Sequence, residues 1–135
     1  MFIIKKLTKL TIILIMVVSS SFFCASCGFF SDSPKDVAVK YFEALSDQDF
    51  DEAYDYMYVD LLPEYQESNK EMFKQMMSHH GFGRSIKIKD IDVLKEEERG
   101  NKAAVLLKLK GPQGAIQTSV YLVKINGKWK IVSME

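Results

Sequence analysis

Two spacings of apolar residues divide the chain. Between residues 34 and 79 they recur three and four apart, and from residue 86 onward they alternate with polar ones. The first spacing marks the covered face of a helix and the second the covered face of a strand. Val37, Ala38, Tyr41, Phe42, Ala44 and Leu45 form the first stripe. Ser33 ahead of it is a capping residue, Pro34 suits a first helical position and Asp36 favours the positive end of the helix dipole, which predicts a helix over residues 34–46. Asp49 with Glu52 three residues on opens a second helix, with Phe50, Ala53, Tyr54 and Met57 on one face. Farther on, Pro63 predicts a break, and Ser68-Asn69-Lys70-Glu71 a fresh cap before Met72, Phe73, Met76 and Met77. His79-His80-Gly81 reads as the end of that third helix.

In the alternating part, Ile86 and Ile88 are followed by Ile91 and Val93, and the odd step between the pairs predicts a bulge near Lys89-Asp90. The stretch EEERGN reads as a turn, as does Gly111-Pro112-Gln113-Gly114, and Asn126-Gly127 is the strongest hairpin signal of the chain. These turns separate KAAVLLKLK, AIQTSVYLVKI and KWKIVSM, whose core-facing positions include Val105, Leu107, Val120, Leu122, Trp129 and Ile131. Helices followed by strands predict an α+β fold, with N-terminal helices packed on a curved antiparallel four-stranded sheet, in one domain over residues 34–135.

The first thirty residues follow a different pattern. Lys5, Lys6 and Lys9 precede an apolar run that ends in Ser19-Ser20-Ser21, the layout of an export signal. The alternative is a retained span, for which the run is marginal against the roughly 20 apolar residues required. Next comes CASC, residues 24–27, and here the sequence resembles a bacterial lipoprotein signal. The small residues Ala25 and Ser26 precede Cys27, and Gly28 follows; Cys24 occupies a position where such signals usually carry Leu. The resemblance implies a signal peptide over residues 1–26, a Cys27 that bears the lipid (diacylglycerol, with acyl chains such as palmitate), and a tether over residues 27–33. It also implies a domain held on the extracytoplasmic face of the cell membrane, within the cell envelope. A redox pair belongs beside a βαβ pattern, and structural zinc needs about four ligands, for which only His79 and His80 would remain.

Charge refines the picture only slightly. The 18 basic and 18 acidic residues cancel, and without the three leading lysines the remainder is mildly acidic. That balance argues against a nucleic-acid partner, whose phosphates call for a basic excess.

The segments SPKDVAVKYFEALSDQDFDEAYDYM and SVYLVKINGKWKIVSME resemble the nuclear-transport-factor-2-like superfamily, which is also called cystatin-like, and within it small bacterial lipoproteins whose domain is of unknown function. The resemblance implies a cone of helices across a curved sheet, often with a pocket in its open end. Tyr41, Tyr54, Tyr121 and Trp129 are the candidate pocket lining, for a small apolar ligand. Aromatic residues at such spacing also serve as plain core. Some members of the superfamily are isomerases or dehydratases with an interior acid or base; Asp90 and Asp92, beside the expected bulge, are the candidates for that role, with solvent-facing positions on the first strand as the plainer reading. The sequence contains no phosphate loop, nucleophile elbow or zinc-protease motif. No catalytic residue, metal site or cofactor is expected. The reading is therefore a membrane-anchored binding domain for a small molecule or an envelope protein, with an isomerase- or hydratase-like enzyme, or an accessory subunit of an envelope assembly, as the alternatives.

Overall fold

The computed structural model describes residues 31–79 and 87–135. The proposed signal, Cys24, Cys27, His80, Gly81 and Ile86 lie outside them. Three helices come first, α1 (Pro34–Ser46), α2 (Phe50–Asp55) and α3 (Pro63–His79). Four strands follow, β1 (Asp90–Arg99), β2 (Lys102–Gly111), β3 (Gly114–Ile125) and β4 (Lys128–Met134), in one antiparallel sheet ordered β1-β2-β3-β4.

Helix α1 begins as its sequence requires. The Ser33 side chain accepts the Asp36 backbone N–H at 3.3 Å, and the Asp36 carboxylate accepts the Ser33 backbone N–H at 3.1 Å. This reciprocal capping box satisfies two donors that a helix start otherwise leaves open. Asp49 starts α2 in a similar way, its carboxylate accepting the Glu52 N–H at 3.1 Å. The third helix departs from expectation, since no break occurs at Pro63. Pro63 is its first residue, where a missing N–H costs nothing, and Ser68 lies inside it with its hydroxyl bonded to the Tyr65 carbonyl at 3.0 Å.

All three strand connections are two-residue hairpin loops, closed by the pairs Arg99↔Lys102, Gly111↔Gly114 and Ile125↔Lys128. At Asn126-Gly127 both residues take positive φ, 50° and 78°, which matches the right-handed twist of the flanking strands. Strand β1 differs from expectation twice. EEER continues the strand and only Gly100-Asn101 turns; the bulge sits at Leu94, because Val93 pairs with Leu107 and Lys95 with Leu106. The adjacent apolar pair Val93-Leu94, which breaks the alternation, was its signature.

The core lies between α1 and the concave face of the sheet. Val105, Leu107, Val120, Leu122, Trp129 and Ile131 are all buried, as their alternation predicted, against Val37, Ala38, Tyr41 and Leu45 of α1. One sheet edge is partly covered: the Tyr58 N–H donates to the Ile131 carbonyl at 2.7 Å and the Ile131 N–H to the Tyr56 carbonyl at 2.8 Å. Helix α3 packs on α2, with the Tyr54 and Phe73 rings 5.6 Å apart.

Leu107→Ala should cost about 2–5 kcal/mol of unfolding free energy, since it empties a fully buried site at the centre of the sheet. Ile116→Ala, at a position 64% exposed on the neighbouring strand, should stay within about 0.5 kcal/mol. Urea denaturation of both variants tests the placement of the core.

Candidate ligand cleft

The covering of the sheet is uneven. Alternate residues of β2, namely Ala103, Val105, Leu107 and Leu109, are buried, whereas no residue of β1 is. Ile91 and Val93 pair with Leu109 and Leu107 and so share the concave face with them, yet Val93 remains 41% exposed. Beyond the bulge, Glu96 and Glu98 pair with Val105 and Ala103, which puts carboxylates on the same face.

The space left open is a cleft between the flank of α1 and β1. Its larger part, about 580 Å³, is bounded by Lys35, Asp36, Val39, Lys40 and Glu43 on the helix and by Val93 to Glu96 on the strand. A further part of about 380 Å³ shares Val39 and Glu43 and extends past Ser46 and Asp47 to Ile88 and Ile91. Its size is that of a small-ligand site. Val39, Ile91, Val93 and Leu94 supply apolar wall, and charged groups form the rim.

Several rim groups already have partners. Lys40 Nζ donates to both Asp32 oxygens at 2.8 Å, Lys95 pairs with Glu97 at 2.7 Å, and Lys35 lies 4.0 Å from Glu96. The hydrogen bonds from Ser33, with a smaller contribution from nearby Lys35 and Lys40, hold the Asp36 carboxyl below its usual range. Ser46 ties the lower end together, its Oγ accepting the Ile88 N–H at 3.1 Å.

The four aromatic candidates occupy different surroundings. Tyr41, 1% exposed, makes an edge contact with Phe42 at 5.2 Å, and burial pushes its hydroxyl up to about 12. Tyr54 is buried between α2 and α3, where its hydroxyl accepts from Asn69 Nδ2 at 2.8 Å. Trp129 is buried near the last hairpin, with Lys124 Nζ 5.5 Å from its ring centroid. Tyr121 lies on the opposite face of the sheet from Val120 and Leu122, and its hydroxyl donates to Glu135 at 3.3 Å. These positions do not converge on the α1–β1 cleft.

Asp90 and Asp92 pair across the strands with Lys110 and Lys108, on the convex face, and both form ion pairs with Lys110, at 3.3 and 2.7 Å. His79 is exposed at the end of α3. Sequence reasoning passed over Val39 and Glu43 and set the bulge near Lys89-Asp90 instead of at Leu94. The available signal was Lys35, Val39 and Glu43 at four-residue spacing beside the main α1 stripe, with one apolar member on an otherwise charged flank.

Comparison with known proteins agrees with the architecture. The family model described as Domain of unknown function (DUF4878) matches residues 25–132. Among solved structures, a Campylobacter jejuni protein named as an NTF2-like transpeptidase superposes with a TM-score of 0.62 at 17% identity, over 76% of this chain and 99% of that one. An NTF2-like protein of unknown function from Shewanella baltica gives 0.53 at 16% identity, over 75% and 86%. A Thiobacillus denitrificans structure named as a calcium/calmodulin-dependent protein kinase type II association domain gives 0.56 at 11% identity, over 78% and 94%. No curated protein sequence matches the chain. At these identities the structural likenesses establish the fold, an NTF2-like α+β cone.

The Asp36 carboxyl provides a pH test of the cleft rim. Its folded-state pKa is lowered, so the stability it contributes is present above the unfolded value of 3.8 and is lost as pH falls through the lower folded value. Asp36→Asn should lower stability by about 1 kcal/mol or less at pH 7 and remove this part of the acid loss. Urea midpoints for both proteins between pH 7 and pH 2 should therefore converge at the acid end.

Proposed function

This chain belongs to the DUF4878 family and has an NTF2-like fold, and we propose that it is a membrane-tethered, non-catalytic domain that binds a small ligand in the α1–β1 cleft. The observation that carries the reading is the contrast between the cone interior and the cleft. Among the described residues no Asp, Glu, His, Lys or Arg is buried, and the interior is packed with apolar side chains. The cleft is open, of ligand size, and pairs apolar wall with charged rim. Apolar contact supplies affinity in such a site and a few polar groups supply orientation.

The tether is the second part of the proposal. What supports Cys27 as the lipid-bearing residue is the layout of the leading segment, a basic start, an apolar run and the small residues Ala25 and Ser26 before the cysteine.

The two parts have separate tests. The intact mass of protein extracted from membranes should correspond to a chain starting at Cys27 plus diacylglycerol. Cys27→Ala should abolish that species and Cys24→Ala should not; an uncleaved wild-type mass refutes the lipid anchor in favour of a retained span. For the cleft, hexanol added to the full chain in nanodiscs should shift the methyl resonances of Val39, Ile91 and Val93. Val39→Arg, which fills the cleft from an incompletely buried position, should weaken that binding at least tenfold. Shifts confined to other methyls, or indifferent to Val39→Arg, would refute the cleft as the site.

A further inference from the structure

The charged groups around the cleft are not evenly satisfied. Lys35, Lys40 and Lys95 each have a carboxylate partner, Asp36 is engaged by Ser33, and Asp90 is held by Lys110. Glu43, Asp47 and Lys89 have no ion pair among the described residues. Glu43, Asp47 and Lys89 all border the lower part, two acids against one base, and Glu43 also borders the larger part, so the unpaired groups leave a negative excess there.

The position of Glu43 on its helix adds an independent argument. It lies in the last turn of α1, which has no basic residue there, and Asp47 is the C-cap. A helix C-terminus already carries partial negative charge from its open carbonyls, so an acid there is opposed by the dipole and a cation is favoured. Val39 lies one turn before Glu43 on the same flank, and Ile91 and Val93 face it from the strand. The arrangement is an apolar trough with an unsatisfied negative end.

We propose that the cleft takes a cationic amphiphile, an amine whose apolar part lies along Val39, Ile91 and Val93 and whose ammonium group meets the Glu43 carboxylate. This rests on the reading of the cleft as a ligand site and adds the charge of its ligand. An anionic amphiphile of the same length meets an unpaired carboxylate at that point, and a neutral one leaves it unpaired in a drier environment, where charge is costlier.

Hexylamine, hexanol and hexanoate titrated at pH 7 into the full chain in nanodiscs, with empty nanodiscs as reference, separate the possibilities. Hexylamine should bind about tenfold tighter than hexanol, and hexanoate weakest. Glu43→Gln should remove the preference, weakening hexylamine and slightly strengthening hexanol, which no longer covers an unpaired carboxylate, and added salt should weaken only the amine. Lys89→Gln should leave the amine at least as tightly bound, a control for general loss of charge. Equal binding of amine and alcohol, or an amine preference that survives Glu43→Gln, overturns the charge inference while leaving the cleft standing. Failure of all three probes to bind overturns both.

Discussion

The burial of Val105, Leu107, Val120 and Leu122 beneath α1 is the constraint on which the other features depend. A helix with its side chains is about 10–12 Å across, whereas four strands spaced about 4.8 Å apart form a wider surface. One helix therefore covers the middle of the sheet and leaves an edge. Here β4 receives help from the segment of Tyr56 to Tyr58, which bonds to Ile131, and β1 remains open. The cleft follows from that mismatch in width.

The bulge determines the chemistry of the open edge. Because residues alternate faces, one extra residue exchanges the inward and outward sets of everything that follows. With Leu94 as the extra residue, β1 presents Ile91 and Val93 on the concave face before the bulge and Glu96 and Glu98 after it. An exposed edge strand is also a template for unwanted pairing, and charged residues are the usual safeguard. Lys95 to Arg99 supply five in succession, so the charged half of the strand suits an open edge while the apolar half becomes cleft wall.

Much of the fold was legible because its signals are local. The Ser33–Asp36 box, the α1 stripe, Asn126-Gly127 and the alternation through Val105, Leu107, Val120 and Leu122 each declare themselves within a few residues. Errors arose where one signal competed with another. Pro63 reads equally as a breaker or as a first helical residue, and Ser68 as a cap or as an interior residue bonded back to Tyr65. The cleft was hidden for a different reason: it depends on what α1 fails to cover, a property of packing that no window of sequence contains. The aromatic residues drew attention because large side chains suggest a pocket, yet Tyr41 and Trp129 are filling material in the core.

The rim charges gain their meaning from how little they do for stability. Exposed pairs such as Lys40 with Asp32 and Lys95 with Glu97 add little to stability, because water solvates the separated partners nearly as well. An unpaired Glu43 is cheap to keep for the same reason. A ligand lying on Val39 and Val93 changes the balance by displacing water from one side of that carboxylate, and the lower local dielectric strengthens attraction to a cation as well as the penalty for leaving the acid alone. A group that is nearly neutral for folding can thus discriminate among ligands.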